Sequence, residues 1–307
     1  MRVLYMGTPD FAATVLEGIF RAGHEIVGVI SQPDKPKNRG MHMEPTPVKK
    51  CAEALGLPVY QPETLRDKAI LKYLEEVQPE IIVVVAYGKL LPEYVLSFPK
   101  YGCVNMHASL LPKYRGAAPI QWSILNGETE TGITAMYMDK GLDTGDMILK
   151  TRVAITKEDT AQTLHDKLAA SAAELAAETL SRIADGTATR EKQKDEESTY
   201  APLLTKELGR ISWDASSRQI LDKIRGLFPW PGAYSYKDGQ MLKLISAREA
   251  EGSGTPGTVL RSRGCLVVAT GDGAVEILEL QLAGKKKMTA AALLAGNPIA
   301  EGTVLGG

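Results

Sequence analysis

The chain has 307 residues, 44% of them apolar and 24% charged, with a formal net charge of −1. That is enough length for two domains and enough apolar side chain for a sizeable core, which excludes bulk disorder. A charge so near zero argues against a generic polyanion binder, although residues 206–307 hold 13 basic side chains against 10 acidic ones while the first 205 hold 23 against 27. So small an asymmetry only hints at a polyanion partner for the second half.

The three cysteines, Cys51, Cys103 and Cys265, form no CxxC and no zinc spacing, and the four histidines are scattered. Neither a disulfide framework nor a metal is expected. The opening MRVLYMGTPD lacks a signal-peptide core, and no apolar run reaches the ~18 residues of a membrane span. The expectation is a monomer in a reducing, cytoplasmic setting.

In chain order, residues 2–6 are a short apolar run, and 10–22 read as a helix with Phe11, Val15 and Ile19 on one face. Residues 25–30 are a strand. Residues 47–56 and 67–77 are helices, 80–86 a continuously apolar strand and 102–107 another. Strand and helix alternate, so the expected fold is α/β, a Rossmann-like, mostly parallel sheet. Strands over 132–138 and 147–153 flank a Gly-rich turn. The longest helix covers 160–184, with Asp159 and Gln162 as a capping box and Gly186 as its stop. Residues 1–186 are thus one domain, and the polar stretch 187–205 reads as a linker. From 206 to 307 a helix near 216–225 is followed by short strands near 233–236, 241–248, 257–262, 265–270 and 274–282. That spacing suggests a small OB-like β-barrel.

Two segments carry chemistry. In NMHASLLPKYRGAAP (105–119), Asn105 and His107 share one face of a strand, at its C-terminal end, where open α/β sheets bind ligands. Alone, each reads more readily as structural. In DKGLDTGD (139–146), three acids among glycines read first as a hairpin turn, but one carboxylate could reach His107. Together, an amide that donates to an oxyanion, an imidazole that shuttles protons and a carboxylate that orients it suit acyl transfer between amines. The opening GTPDF lacks the later glycines of GxGxxG, so no dinucleotide site is expected.

N-x-H-x-S-L-L-P-x-x-R-G followed by D-x-G-x-D-T-G is similar to the signature of the formyltetrahydrofolate-dependent formyltransferases. The resemblance implies that Asn105 is the oxyanion donor, His107 the proton-handling group and Asp143 its carboxylate partner, with 10-formyltetrahydrofolate as formyl donor. Tyr87, Gly88, Leu90 and Leu91 resemble the family's folate-pocket wall, and Ser109, Leu110, Leu111 and Pro112 the loop along the tetrahydrofolate. MGTPDFA and ISWDASSRQILDKIRGLFPWPGAY (211–234) resemble the members that formylate methionyl initiator tRNA. So does the loop 31–47, in which Lys35, Lys37 and Arg39 occupy a basic insertion that reaches toward tRNA. Met41–Glu44 departs from that insertion's basic composition. Lys206, Arg218, Lys285, Lys286 and Lys287, with Lys223 and Arg225, are candidate phosphate contacts.

Overall fold

The structure, a computed structural model, describes residues 1–37 and 42–306, with the backbone alone at Lys37 and His42. The chain divides into two compact units. The first comprises Met1–Gly116, Glu130–Ala154 and His165–Ala201, the second Ala117–Thr129, Ile155–Leu164 and Pro202–Gly307.

In chain order the elements begin with β1 (Arg2–Gly7), α1 (Asp10–Arg21), β2 (Glu25–Ile30), the paired short strands β3 (Lys35–Lys37) and β4 (His42–Glu44), α2 (Pro47–Ala54) and β5 (Val59–Tyr60). Then come α3 (Leu71–Val77), β6 (Ile81–Val85), α4 (Glu93–Leu96), β7 (Cys103–His107), β8 (Arg115–Gly116), α5 (Pro119–Leu125), β9 (Glu130–Tyr137), β10 (Met147–Ala154), α6 (Ala161–Ala184) and β11 (Tyr200–Ala201). The helix that apolar spacing starts at 67 begins only at Leu71, because Asp67 and Lys68 have φ of 53° and 55°, outside the right-handed helical region.

The first unit is built on a seven-stranded sheet of order β10-β9-β7-β6-β1-β2-β5. It is parallel from β5 to β7, and β9 and β10 extend that edge antiparallel. All five residues of β6 (IIVVV) are buried, as a strand covered on both faces requires. Strand order reverses between β1 and β6, which opens a crevice beyond their carboxyl ends and beyond neighbouring β7. There the Thr8 hydroxyl donates to Tyr87 O at 3.1 Å. Helix α1 lies close to α6, since a Cβ on Gly18 would come within 2.7 Å of the Ala173 Cβ.

Residues 187–201, read from polarity as part of a linker, are bound into the first unit. Glu191 bridges Met147, and β11 pairs with β8.

The second unit continues with α7 (Ser217–Gly226), β12 (Ala233–Lys237), β13 (Gln240–Ala250), β14 (Val259–Arg261), β15 (Leu266–Ala269), β16 (Ala274–Leu282), β17 (Met288–Thr289) and α8 (Ala290–Gly296). Ser216 and Gln219 form a complete capping box on α7. The antiparallel sheet has the order β12-β13-β16-β15-β14, with β17 on β16. Among the described residues no pairing joins β12 to β14, so the strands that spacing reads as a barrel form an open, half-barrel sheet. Its core includes Trp213, Ile220, Ile224, Leu244, Val268 and Ile277. No helix of the described residues is long and apolar enough to cross a membrane.

Candidate active site

β7 pairs with β6 on one side and β9 on the other, which places Asn105 opposite Val84 and Met136, and His107 opposite Thr134. Pleating turns the side chains at 105 and 107 to one face. Asn105 is half-buried, and its side-chain amide makes no hydrogen bond among the described residues. His107 is buried, and its Nε2 lies 2.9 Å from the Tyr114 carbonyl. A carbonyl only accepts, so Nε2 carries the hydrogen, and Nδ1 is the nitrogen left to exchange a proton. Nδ1 lies 3.7 Å from Asp143 Oδ2, within reach of an ion pair but longer than a hydrogen bond.

Asp143 is presented by a built turn. Asp139 Oδ1 accepts the Gly141 N–H at 2.9 Å and the Thr144 hydroxyl at 2.7 Å. A Cβ at Gly145 would stand 1.8 Å from the Tyr137 carbonyl, so only glycine fits. Asp143 Oδ2 accepts the Gly116 N–H at 2.9 Å. Asp143 and Tyr114, the two residues that address His107, have φ of 54° and 61°. Non-glycine residues hold such conformations only where their surroundings impose them.

Some of those surroundings escape the sequence reading. Gln193 Nε2 donates to the carbonyls of Asp143 and Gly145, and its Oε1 accepts from the Arg115 guanidinium. Thr199 Oγ1 accepts the Tyr114 N–H at 2.8 Å. The one available signal was the polar side chains themselves, amides and hydroxyls that bind backbone locally.

The residues resembling a folate pocket divide by burial. Gly88 and Leu90 are exposed beyond β6, and Leu110 and Pro112 half-exposed. Tyr87 and Leu91 turn into the core of the first unit instead. Burial, then the neighbouring Tyr94, pushes the Tyr87 phenol up to about 12. Ser109 and Leu111 are buried and shape the loop: Ser109 Oγ donates to Lys113 O at 2.7 Å, and the Thr134 hydroxyl takes the Leu111 N–H and donates to Ser109 O.

The basic candidates also divide. Lys35, Lys206, Lys285 and Lys286 are exposed, and Lys287 pairs with Glu279. Lys37 is described only along its backbone, and Arg39 lies outside the described residues. Arg218 pairs with buried Asp222 at 2.8 Å. Arg225, half-buried against the other Asp222 oxygen at 2.8 Å, also donates to the Thr156 and Asp159 carbonyls, each at 3.0 Å. It is thus an internal tie and not a surface cation. Burial lowers the Lys223 amine, whose Nζ donates to Arg210 O. Among the described residues no group of three or more His, Cys, Asp or Glu gathers as metal ligands do.

A profile of the family described as Formyl transferase matches residues 1–180, and one described as Formyl transferase, C-terminal domain, matches residues 203–298. The chain is 53% identical over 308 residues to a methionyl-tRNA formyltransferase of Caldanaerobacter subterraneus, covering 99% of this chain and 100% of that one. It is 50% identical over 309 residues to another from Alkaliphilus oremlandii, covering 100% of both. Among solved structures it is similar to the N-formyltransferase from Helicobacter canadensis in complex with folinic acid and dTDP-3-aminofucose (TM-score 0.69, 21% identity, 94% of this chain and 100% of that one). It is also similar to HypX from Aquifex aeolicus in complex with tetrahydrofolic acid (TM-score 0.66, 20% identity). That match covers 96% of this chain but only 47% of HypX. At these identities the structural likeness speaks for the fold alone.

Proposed function

The chain belongs to the formyl transferase family, and from that premise we propose its reaction. It transfers the formyl group of 10-formyltetrahydrofolate to the α-amino group of methionine on initiator tRNA, giving N-formylmethionyl-tRNA for translation initiation. The observation that carries this reading is full-length identity of about half to relatives of that name.

We assign the chemistry to Asn105, His107 and Asp143. As the methionine nitrogen bonds to the formyl carbon, the carbonyl oxygen takes up negative charge. The Asn105 amide, which has no partner among the described residues, is a donor for that oxygen. The ammonium formed by attack must lose a proton. His107 Nδ1 is suited to take it, because Nε2 is committed to the Tyr114 carbonyl. When the bond from the formyl carbon to the carrier nitrogen breaks, that nitrogen needs a proton, and His107 can return the one it took. Asp143, 3.7 Å away, stabilises the ring while it is charged.

A folate fits the crevice beyond β1, β6 and β7. Its mouth has the exposed Gly88 and Leu90 and the half-exposed Leu110 and Pro112 for an apolar ring system. We assign the acceptor-binding role to Lys35, Lys37 and Arg39 and, in the second unit, to Lys206, Lys285 and Lys286. That unit we read as an OB-like tRNA-binding domain. Three free cysteines favour a reducing, cytoplasmic setting, and we propose that the chain acts as a monomer.

The test is incubation with 10-formyltetrahydrofolate and charged initiator methionyl-tRNA, with free methionine alongside. Product on the tRNA alone is expected. Folate consumed with no formyl-tRNA would move the acceptor to a small amine or water.

A further inference from the structure

We propose that Gln193 is a positioning residue of this site, clasping the loop that presents Asp143 to the segment that follows His107. The proposal rests on the roles assigned above to His107 and Asp143.

Gln193 lies on no helix or strand, in a stretch with almost no apolar side chains. Yet its amide is saturated. Nε2 donates to Asp143 O and to Gly145 O, both at 2.8 Å, and Oε1 accepts from Arg115 Nε at 3.0 Å and Nη2 at 2.9 Å. Two donors and two acceptor sites are all that a primary amide has.

Each end of the clasp holds a backbone segment that carries a His107 contact. Arg115 stands between Tyr114, whose carbonyl receives the His107 Nε2 hydrogen, and Gly116, whose N–H binds the Asp143 carboxylate. At the other end Gln193 grips the carbonyl of Asp143 itself, a residue held at φ 54°. One side chain thus spans both backbone segments that address the imidazole. The same stretch holds the first segment again through Thr199, which takes the Tyr114 N–H on its hydroxyl and the Arg115 N–H on its carbonyl.

The chemistry of the clasp selects glutamine. A carboxylate here would keep the arginine but face two carbonyls without a hydrogen to offer. A thioether of similar length would make neither set of bonds. Releasing the clasp frees the Asp143 turn while leaving Asp143, His107 and Asn105 in the chain. The loss should therefore fall on turnover and not on binding. A displacement of about 1 Å at a reacting centre costs up to roughly a hundredfold in rate.

The experiment compares the full chain with Gln193→Ala, Gln193→Met and Gln193→Glu, each with and without Asp143→Asn. All three are expected to lower kcat about ten- to a hundredfold, with KM for folate and tRNA within about twofold. In the Asp143→Asn background the same replacements should cost less than about twofold, because the residue acts through Asp143. Amide hydrogen exchange gives a readout independent of activity: residues 139–146 should exchange faster in Gln193→Ala, while β1, β6 and β7 stay protected. If Gln193→Ala folds poorly, Gln193→Met, which keeps the volume, carries the same comparisons. Unchanged exchange in 139–146, or kcat effects that multiply with those of Asp143→Asn, would overturn the proposal. Wild-type chain without formyl transfer would instead overturn the reaction proposed above, and exchange alone would still judge the clasp.

Discussion

The Gly116 N–H donates to Oδ2 of Asp143 at 2.9 Å, and that same oxygen lies 3.7 Å from His107 Nδ1. A backbone donor therefore fixes the carboxylate that faces the imidazole. Gly116 has φ of 115°, and a Cβ there would come within 2.6 Å of the Tyr200 ring and 2.7 Å of the Ala201 carbonyl. Gly116→Ala must then shift either the β8–β11 pairing or the bond to Asp143. A loss of about 1–3 kcal/mol in stability is expected, together with lower kcat. Denaturant unfolding and steady-state kinetics on one preparation check this, and a variant with wild-type values in both would refute it.

Removal of the reacting groups should separate their roles. His107→Ala is expected to lower kcat about 10²–10⁴-fold by loss of the proton shuttle. Asn105→Ala should lower it about 10²–10³-fold by loss of the oxyanion donor. Because the Asn105 amide has no partner among the described residues, Asn105→Ala should melt close to wild type. Near-full activity in either variant would sink the mechanism.

Much of this site was legible in the sequence, for identifiable reasons. Asn105 and His107 stand two apart at the end of a strand, and period-two geometry alone puts them on one face. The helix near 216–225 was legible too, and the structure adds the capping box that Ser216 and Gln219 close on its first turn. What escaped was what periodicity does not encode. Gln193 and Thr199 act through side-chain bonds to backbone, so a polar stretch without apolar period read as a linker. Arg225 looked like any exposed cation until Asp222, three residues earlier, was seen to be buried beneath it. The strand count from 233 to 282 was sound, but whether such strands close into a ring depends on register, which spacing does not reveal.

The pairing of Asp222 should be a stability determinant of the second unit. Its two oxygens accept from Arg218 and Arg225, each at 2.8 Å, and Arg225 also ties the Thr156 and Asp159 carbonyls. Asp222→Asn leaves the partly buried Arg225 guanidinium without its counter-charge, which should cost about 1–3 kcal/mol. Arg225→Lys cannot reproduce the fork and should also destabilise. Thermal unfolding decides, and a transition unmoved by Asp222→Asn would contradict the assignment.

Alkaline pH should loosen the first unit. Burial pushes the Cys103 thiol up to about 12 from an ordinary value of 9.0. The Tyr5 and Tyr87 phenols are raised in the same direction, mainly by burial. A raised folded pKa means that the folded chain keeps a proton the unfolded chain releases. The stabilisation is complete below about pH 9 and is lost as pH rises from there toward 12. The Cys103 share is about 1.4 kcal/mol per pH unit within that window. Urea titrations from pH 8 to 11 should show the decline, and Cys103→Ala should remove that share of the slope. An identical slope in the variant would rule out the thiol as its source.

Finally, affinity for tRNA should fall with salt despite the net charge of −1, since phosphate contacts release counterions whatever the total charge. Each lysine that contacts a phosphate contributes roughly 0.9 to the slope of log affinity against log salt. Exposed Lys285 and Lys286 are the candidates in the second unit, so replacing both with alanine should flatten the slope and leave the unfolding transition in place. Arg225→Ala should do the reverse, lowering the transition because its guanidinium is spent on Asp222 and two carbonyls. Filter binding of initiator tRNA at several salt concentrations, beside thermal melts, separates the two classes. An affinity indifferent to salt in the wild-type chain would remove the basis for assigning any of these lysines to phosphate.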